Sequence, residues 1–152
     1  MKLDSFKTEY IGKTIKLIGD LKADGYKSIK QEFDIDDEYH SFDQVKIIFF
    51  DEDDAIVFID QDCDGYRSGA WDVGKVKLLC EAGLENIKPI NSEILDIKKY
   101  EKGGKTGLII YTKEYVIDMG QDNSDSYYPS NYFDVSELET GIVGKGELLE
   151  LD

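Results

Sequence analysis

A chain of 152 residues with 41% hydrophobic side chains is long enough to bury a core in one domain and too apolar to stay disordered. Its 33 Asp and Glu against 18 Lys and Arg leave a net charge of −15, which repels phosphate backbones and argues against direct nucleic-acid binding. No apolar stretch resembles a leader or approaches a membrane span, so the expected compartment is the cytoplasm.

The two cysteines, Cys63 and Cys80, are too few for a disulfide framework and lack metal-binding spacing, which fits reduced thiols. Ten tyrosines and seven phenylalanines beside only two prolines favour pleated, half-buried surfaces. In chain order, residues 1 to 10 suggest a short helical turn capped by Asp4. Ile11 to Ile18 reads as a first strand ended by Gly19-Asp20, and Tyr26 to Ile35 as a second, followed by an acidic loop from Asp34 to His40. Val45 to Phe50 and Ala55 to Ile59 flank the polar turn Asp51 to Asp54 and predict a β-hairpin.

A polar loop from Asp60 to Asp72 comes next. Val73 to Leu84 fits a helical face or a strand equally well, and Pro89 is expected to close it. Ile94 to Tyr100 and Gly107 to Thr112 predict a second hairpin around Lys102-Gly-Gly-Lys105, and Tyr115 to Met119 follows a tight turn at Lys113-Glu114. A second polar loop occupies Gly120 to Asn131. The tail, residues 136–152, starts with a possible helical turn (SELE) and then loosens through Gly141, Gly144 and Gly146. No boundary or repeat interrupts the chain. Some seven short strands predict a mainly β single domain with minor helix, built as an antiparallel sheet or partly closed barrel.

Candidate chemistry concentrates in the first polar loop. Asp60, Asp62 and Asp64 alternate ahead of Gly65, as in a calcium loop whose oxygen ligands wrap a hard cation. The twelfth position holds Trp71 where a bidentate Glu is required, so an EF-hand is excluded, although a calcium or magnesium site from these three acids stays open. The plainer alternative is a solvated turn whose carboxylates cap backbone amides and hold Arg67. Asp122, Asn123, Asp125 and Tyr127 end another strand in the same way, and the two loops meet if their strands end on one sheet edge. Both Gly-Lys-Thr tripeptides lack the earlier glycine of a phosphate loop, and His40, the lone histidine, has only Cys63 as a conceivable nucleophilic partner. Nothing here favours an enzyme over a binding protein, and no cofactor is required.

The segments Asp64-Gly-Tyr-Arg-Ser68 and Gly120-Gln-Asp-Asn-Ser-Asp-Ser-Tyr-Tyr-Pro129, with the Tyr10-Ile-Gly-Lys-Thr-Ile15 opening, resemble small acidic proteins of bacteriophages and prophages. In those proteins the Asp62 position is often proline, so the full acid ladder is a departure. The resemblance implies an accessory phage protein in a bacterial host cytoplasm, an anti-defence or takeover inhibitor that binds a basic host protein. It groups Asp64, Tyr66, Arg67, Trp71, Asp122, Asn123, Asp125, Tyr127 and Tyr128 as the expected binding surface. A small-ligand site in the same two loops and a purely structural accessory role are the alternatives.

Overall fold

The computed structural model describes residues 3–22, 40–51, 54–63, 66–67, 71–76, 83–124 and 130–138. They form one helix, α1 (Leu3–Tyr10), and nine strands: β1 (Thr14–Leu21), β2 (His40–Asp51), β3 (Asp54–Cys63), β4 (Tyr66–Arg67), β5 (Asp72–Val76), β6 (Leu84–Lys102), β7 (Lys105–Thr112), β8 (Tyr115–Asp122) and β9 (Ser130–Glu137). The fold is mainly β with antiparallel pairing, and the strand path β4-β3-β2-β1-β6-β7-β8-β9 is open, with β5 on β3. That decides for a sheet and against barrel closure. The helix, the only one among the described residues, is not long and apolar enough to cross a membrane. The chain divides into two compact units, Ile15–Asn91 and Met1–Thr14 with Ser92–Asp152.

In the Ile15–Asn91 unit the β2–β3 hairpin is longer than its apolar runs, with Asp51 paired to Asp54 and His40 to Cys63. One face packs Leu17, Leu21, Val45, Ile47, Phe49, Val57, Ile59, Val76 and Leu84 into a continuous core. The opposite face buries Ile18, Ile48, Ile56 and Phe58 as well. Burial on both faces explains why these strands read as unbroken apolar runs instead of alternating ones. Each fully buried aliphatic or Phe side chain contributes ~1.5–3 kcal/mol.

Several boundaries differ from the sequence expectations. β1 starts three residues late, because Ile11 and Gly12 form the turn after α1, and it runs through Gly19-Asp20. Asp4 lies inside α1 rather than at its cap. Gly19 continues the strand because a Cβ there would meet the carbonyl oxygen of Glu85 on β6 at 3.3 Å, a tight strand contact that glycine relieves. Pro89 does not end its segment but sits within β6. Pairing of β6 with β7 begins only at Ile94, so among the described residues this half of β6 has β1 as its one partner strand, where proline is tolerated. Asn86 and Asn91 bracket that proline in left-handed conformations, and Asn86 Nδ2 donates to Asp20 Oδ2 at 2.9 Å, the carboxylate that also pairs with Lys46 at 2.6 Å. The Tyr26–Ile35 strand and the glycine-rich tail lie outside the described residues.

In the other unit, α1 buries Phe6 and Tyr10, one helical turn apart, with ring centroids 5.0 Å apart. The chain then turns to exchange backbone hydrogen bonds with Ile94, Gly12 N to Ile94 O at 2.9 Å and Ile94 N to Lys13 O at 2.8 Å. β6 to β9 form a meander with two-residue turns at Gly103-Gly104 and Lys113-Glu114. The first turn has positive φ at both glycines, 58° and 79°, the mirror-image turn that matches strand twist. The second is anchored by buried Ser92 and Thr112, whose hydroxyls accept from Glu114 N at 3.0 Å and Tyr115 N at 2.8 Å. Ser136 and Glu137 continue β9 opposite Val116 and Tyr115, so the helical turn expected there is replaced by strand.

Candidate functional site

The two turns of the meander set its register, and the register builds a row of four residues across four strands. Tyr100 on β6 faces Gly107 on β7, Gly107 faces Gly120 on β8, and Gly120 faces Tyr132 on β9. Asn123 N donates to Gly104 O, which makes Gly104/Asn123 a hydrogen-bonded pair and, by alternation, Gly107/Gly120 a closer, non-hydrogen-bonded one. A Cβ on Gly107 would lie 2.8 Å from the Tyr132 hydroxyl and 3.0 Å from that of Tyr100, and one on Gly120 would lie 2.6 Å from Gly107 Cα. The two glycines therefore clear a trough into which the tyrosines on either side lean. Their hydroxyls hydrogen-bond to each other there, and Tyr100 OH donates to Asp118 Oδ1 at 2.8 Å.

Electrostatics mark the same cluster. Burial raises the Asp118 carboxyl above the ordinary carboxylate range, Asp134 directly opposite on β9 raises it further, and Lys105 pulls the other way. Tyr132 is pushed up to about 12, by burial first and Asp134 second, so it stays neutral at physiological pH. The Lys105 ammonium lies 5.7 Å from the Tyr132 ring centroid, a cation–π contact. At the rim, Asp122 is held below the carboxylate range chiefly by the hydroxyl and backbone N–H of Ser124, at 2.6 and 2.9 Å. The arrangement is a hydrogen-bonded Tyr–Tyr–Asp network able to hold or redirect a proton. Among the described residues no group of three His, Cys, Asp or Glu side chains could hold a metal ion.

Of the residues singled out from sequence, Asp122 stands at the rim of this cluster, whereas Asp60, Asp62, Tyr66, Arg67 and Trp71 belong to the Ile15–Asn91 unit. The described part of the segment from Asp60 to Asp72 is mostly strand: β3 runs to Cys63, and backbone pairing sets Asp62 against Arg67 and Cys63 against Tyr66. Asp60 is fully buried, and Gln44 Nε2 opposite it donates to Oδ2 at 3.4 Å. The β3–β5 register places half-buried Trp71, one residue before β5, across from Asp60. Backbone pairing of β3 with β2 continues through Asp60, Asp62 and Cys63, so the first two acids of the expected ligand ladder belong to a strand. His40 is the register partner of Cys63. Asp64 and Ser68 lie outside the described residues.

The Gly120–Asn131 loop is likewise shorter than its polar composition suggests. Gly120 to Asp122 belong to β8, and Ser130 and Asn131 to β9. Asp122 and Asn123 shape the exit from β8: Asp122 through its bonds to Ser124, Asn123 through its bond to Gly104 O at 2.7 Å. Asp125, Tyr127 and Tyr128 lie outside the described residues. The strands feeding the two loops, β3 and β8, are not neighbours in the strand order. Sequence reasoning missed Tyr100, Gly107, Asp118, Gly120 and Tyr132, although counting outward from the two tight turns aligns the first, second and fourth in one row.

Comparison with known proteins adds no relative. No family model matches the chain, and no curated protein and no solved structure matches it.

Proposed function

We propose that this chain is a non-enzymatic binding protein that engages a basic partner through its acidic segments, as an accessory phage protein would to inhibit a host defence or takeover target. The observation that carries the reading is how unevenly the charge is distributed. Along the sequence the excess of acid is concentrated in two stretches. Residues 23–39 alone contribute six acids against two bases, and residues 139–152 four against one. Acids gathered into stretches of the chain supply a local field for a cationic surface, which acids spread evenly for solubility do not. The phage context rests on the resemblance carried by the two loop motifs and the Tyr10–Ile15 opening.

The test compares capture from a bacterial host lysate by the wild-type chain and by two neutralised variants. In one, Asp34, Asp36, Asp37 and Glu38 become Asn or Gln; in the other, exposed Glu101 on β6 and Glu114 in the β7–β8 turn become Gln. A basic protein held at low salt, released at high salt, lost from the first variant and kept by the second is the expected result. Equal capture by all three chains, or none by the wild type, overturns the reading.

A further inference from the structure

The geometry points to Tyr100 as the pivot of a reversible hydrogen-bond relay between Asp118 and Tyr132, in which the proton on Asp118 sets the direction of the Tyr132 hydroxyl. A carboxylate only accepts, so with Asp118 ionised the single proton of Tyr100 must point at Oδ1, as the 2.8 Å bond requires. Tyr100 can then join Tyr132 only by accepting, and the Tyr132 proton is drawn into the relay. When Asp118 takes a proton from solvent, one O–H bond forms on its carboxyl and becomes the donor to the Tyr100 oxygen. The Tyr100 hydroxyl rotates towards Tyr132, whose own proton turns out of the relay. No phenol O–H bond breaks, and both tyrosines stay neutral.

The surroundings favour such a device. Tyr100 is buried, so its hydroxyl cannot exchange this bond for bulk water, whereas Tyr132 is only half-buried and can carry the change outward. Among the described residues Lys105 on β7 and Asp134 on β9 act electrostatically on the relay; by register Lys102 on β6 and Asp122 on β8 share its face further towards the Gly103-Gly104 turn, and Lys98 on β6 lies over Tyr111. Burial and Asp134 keep Asp118 protonated to higher pH than an ordinary aspartate.

Carbon-13 NMR of the Asp118 carboxyl and the Tyr132 ring carbon bearing the hydroxyl tests the relay across the acid range. The Tyr132 signal is expected to step at the Asp118 midpoint. Tyr100→Phe, which keeps the ring but removes the pivot, is expected to abolish that step while Asp118 still titrates. Asp134→Asn, at an exposed site, is expected to move both midpoints to lower pH together. A Tyr132 signal that is flat through the Asp118 titration, a step that survives Tyr100→Phe, or midpoints that separate in Asp134→Asn overturns the relay. The Asp134 variant decides the matter even if Tyr100→Phe does not fold.

Discussion

Gly107 and Gly120 are occupied by hydrogen because the facing strand and two tyrosine hydroxyls take the space of a side chain. Alanine at either position must push backbone against backbone, and the expected loss is ~2–4 kcal/mol, read as a lowered denaturation midpoint with unchanged slope. Tyr132→Phe deletes one donor from the cluster and is expected to cost only ~0.5–1.5 kcal/mol. Asp118 predicts a gain in the other direction. Its folded pKa is raised above the ordinary 3.8, so the folded state binds more protons than the unfolded one in the window just above that value. Stability attributable to this group therefore falls as pH rises through the window and stays reduced at neutral pH. Asp118→Asn, which keeps an acceptor for Tyr100, is expected to raise Tm by a few degrees at pH ~7, with the gain shrinking towards pH ~4.

Among elements, the turns govern what could be read beforehand. Lys102-Gly-Gly-Lys105 and Lys113-Glu114 leave no freedom in register, so the hairpins they close were legible from the chain alone. Gly103→Ala and Gly104→Ala both impose a positive φ on a side chain, costing ~1–2 kcal/mol. Gly104→Ala is expected to be the worse of the two in thermal melts, because its Cβ would also lie 3.0 Å from the Ser124 backbone.

The misread boundaries share a physical origin. Pro89 breaks a strand bonded on both sides, but sequence does not reveal that this half of β6 has one partner strand among the described residues. Ser136-Glu137 look helical locally and are held extended by β8. The polar loops were overestimated because Asp60 and Asp122 suit turns by type, yet strand pairing claims both. The tyrosine–aspartate cluster carries no local signature at all; it exists only once four strands are aligned.

For the molecule as a whole, Asp60 bears on the cation reading. Its carboxylate is enclosed in the strand and bonded by Gln44, so binding an ion would require giving up that burial. Millimolar calcium or magnesium is accordingly expected to leave Tm unchanged; a rise that grows with metal concentration would restore the Asp60, Asp62 and Asp64 site. Neutralising Asp34, Asp36, Asp37 and Glu38 is expected to weaken salt-sensitive association with a basic partner, read as reduced capture at low ionic strength.

The long strand β6 carries a consequence for how the protein is made. Its first half, Leu84 to Asn91, lies beside β1, as the bond from Lys22 N to Gly83 O and the nearness of Glu85 and Ile87 to the space a Cβ on Gly19 would fill record. On a ribosome, β1, β2 and β3 emerge well before that segment, and until it arrives β1 offers an uncovered ladder to any neighbouring nascent chain. The meander from β6 to β9 pairs strands that follow one another directly and closes without such a wait. A fragment ending at residue 82 should therefore precipitate on expression, and supplying residues 83–102 as a separate peptide should return it to solution.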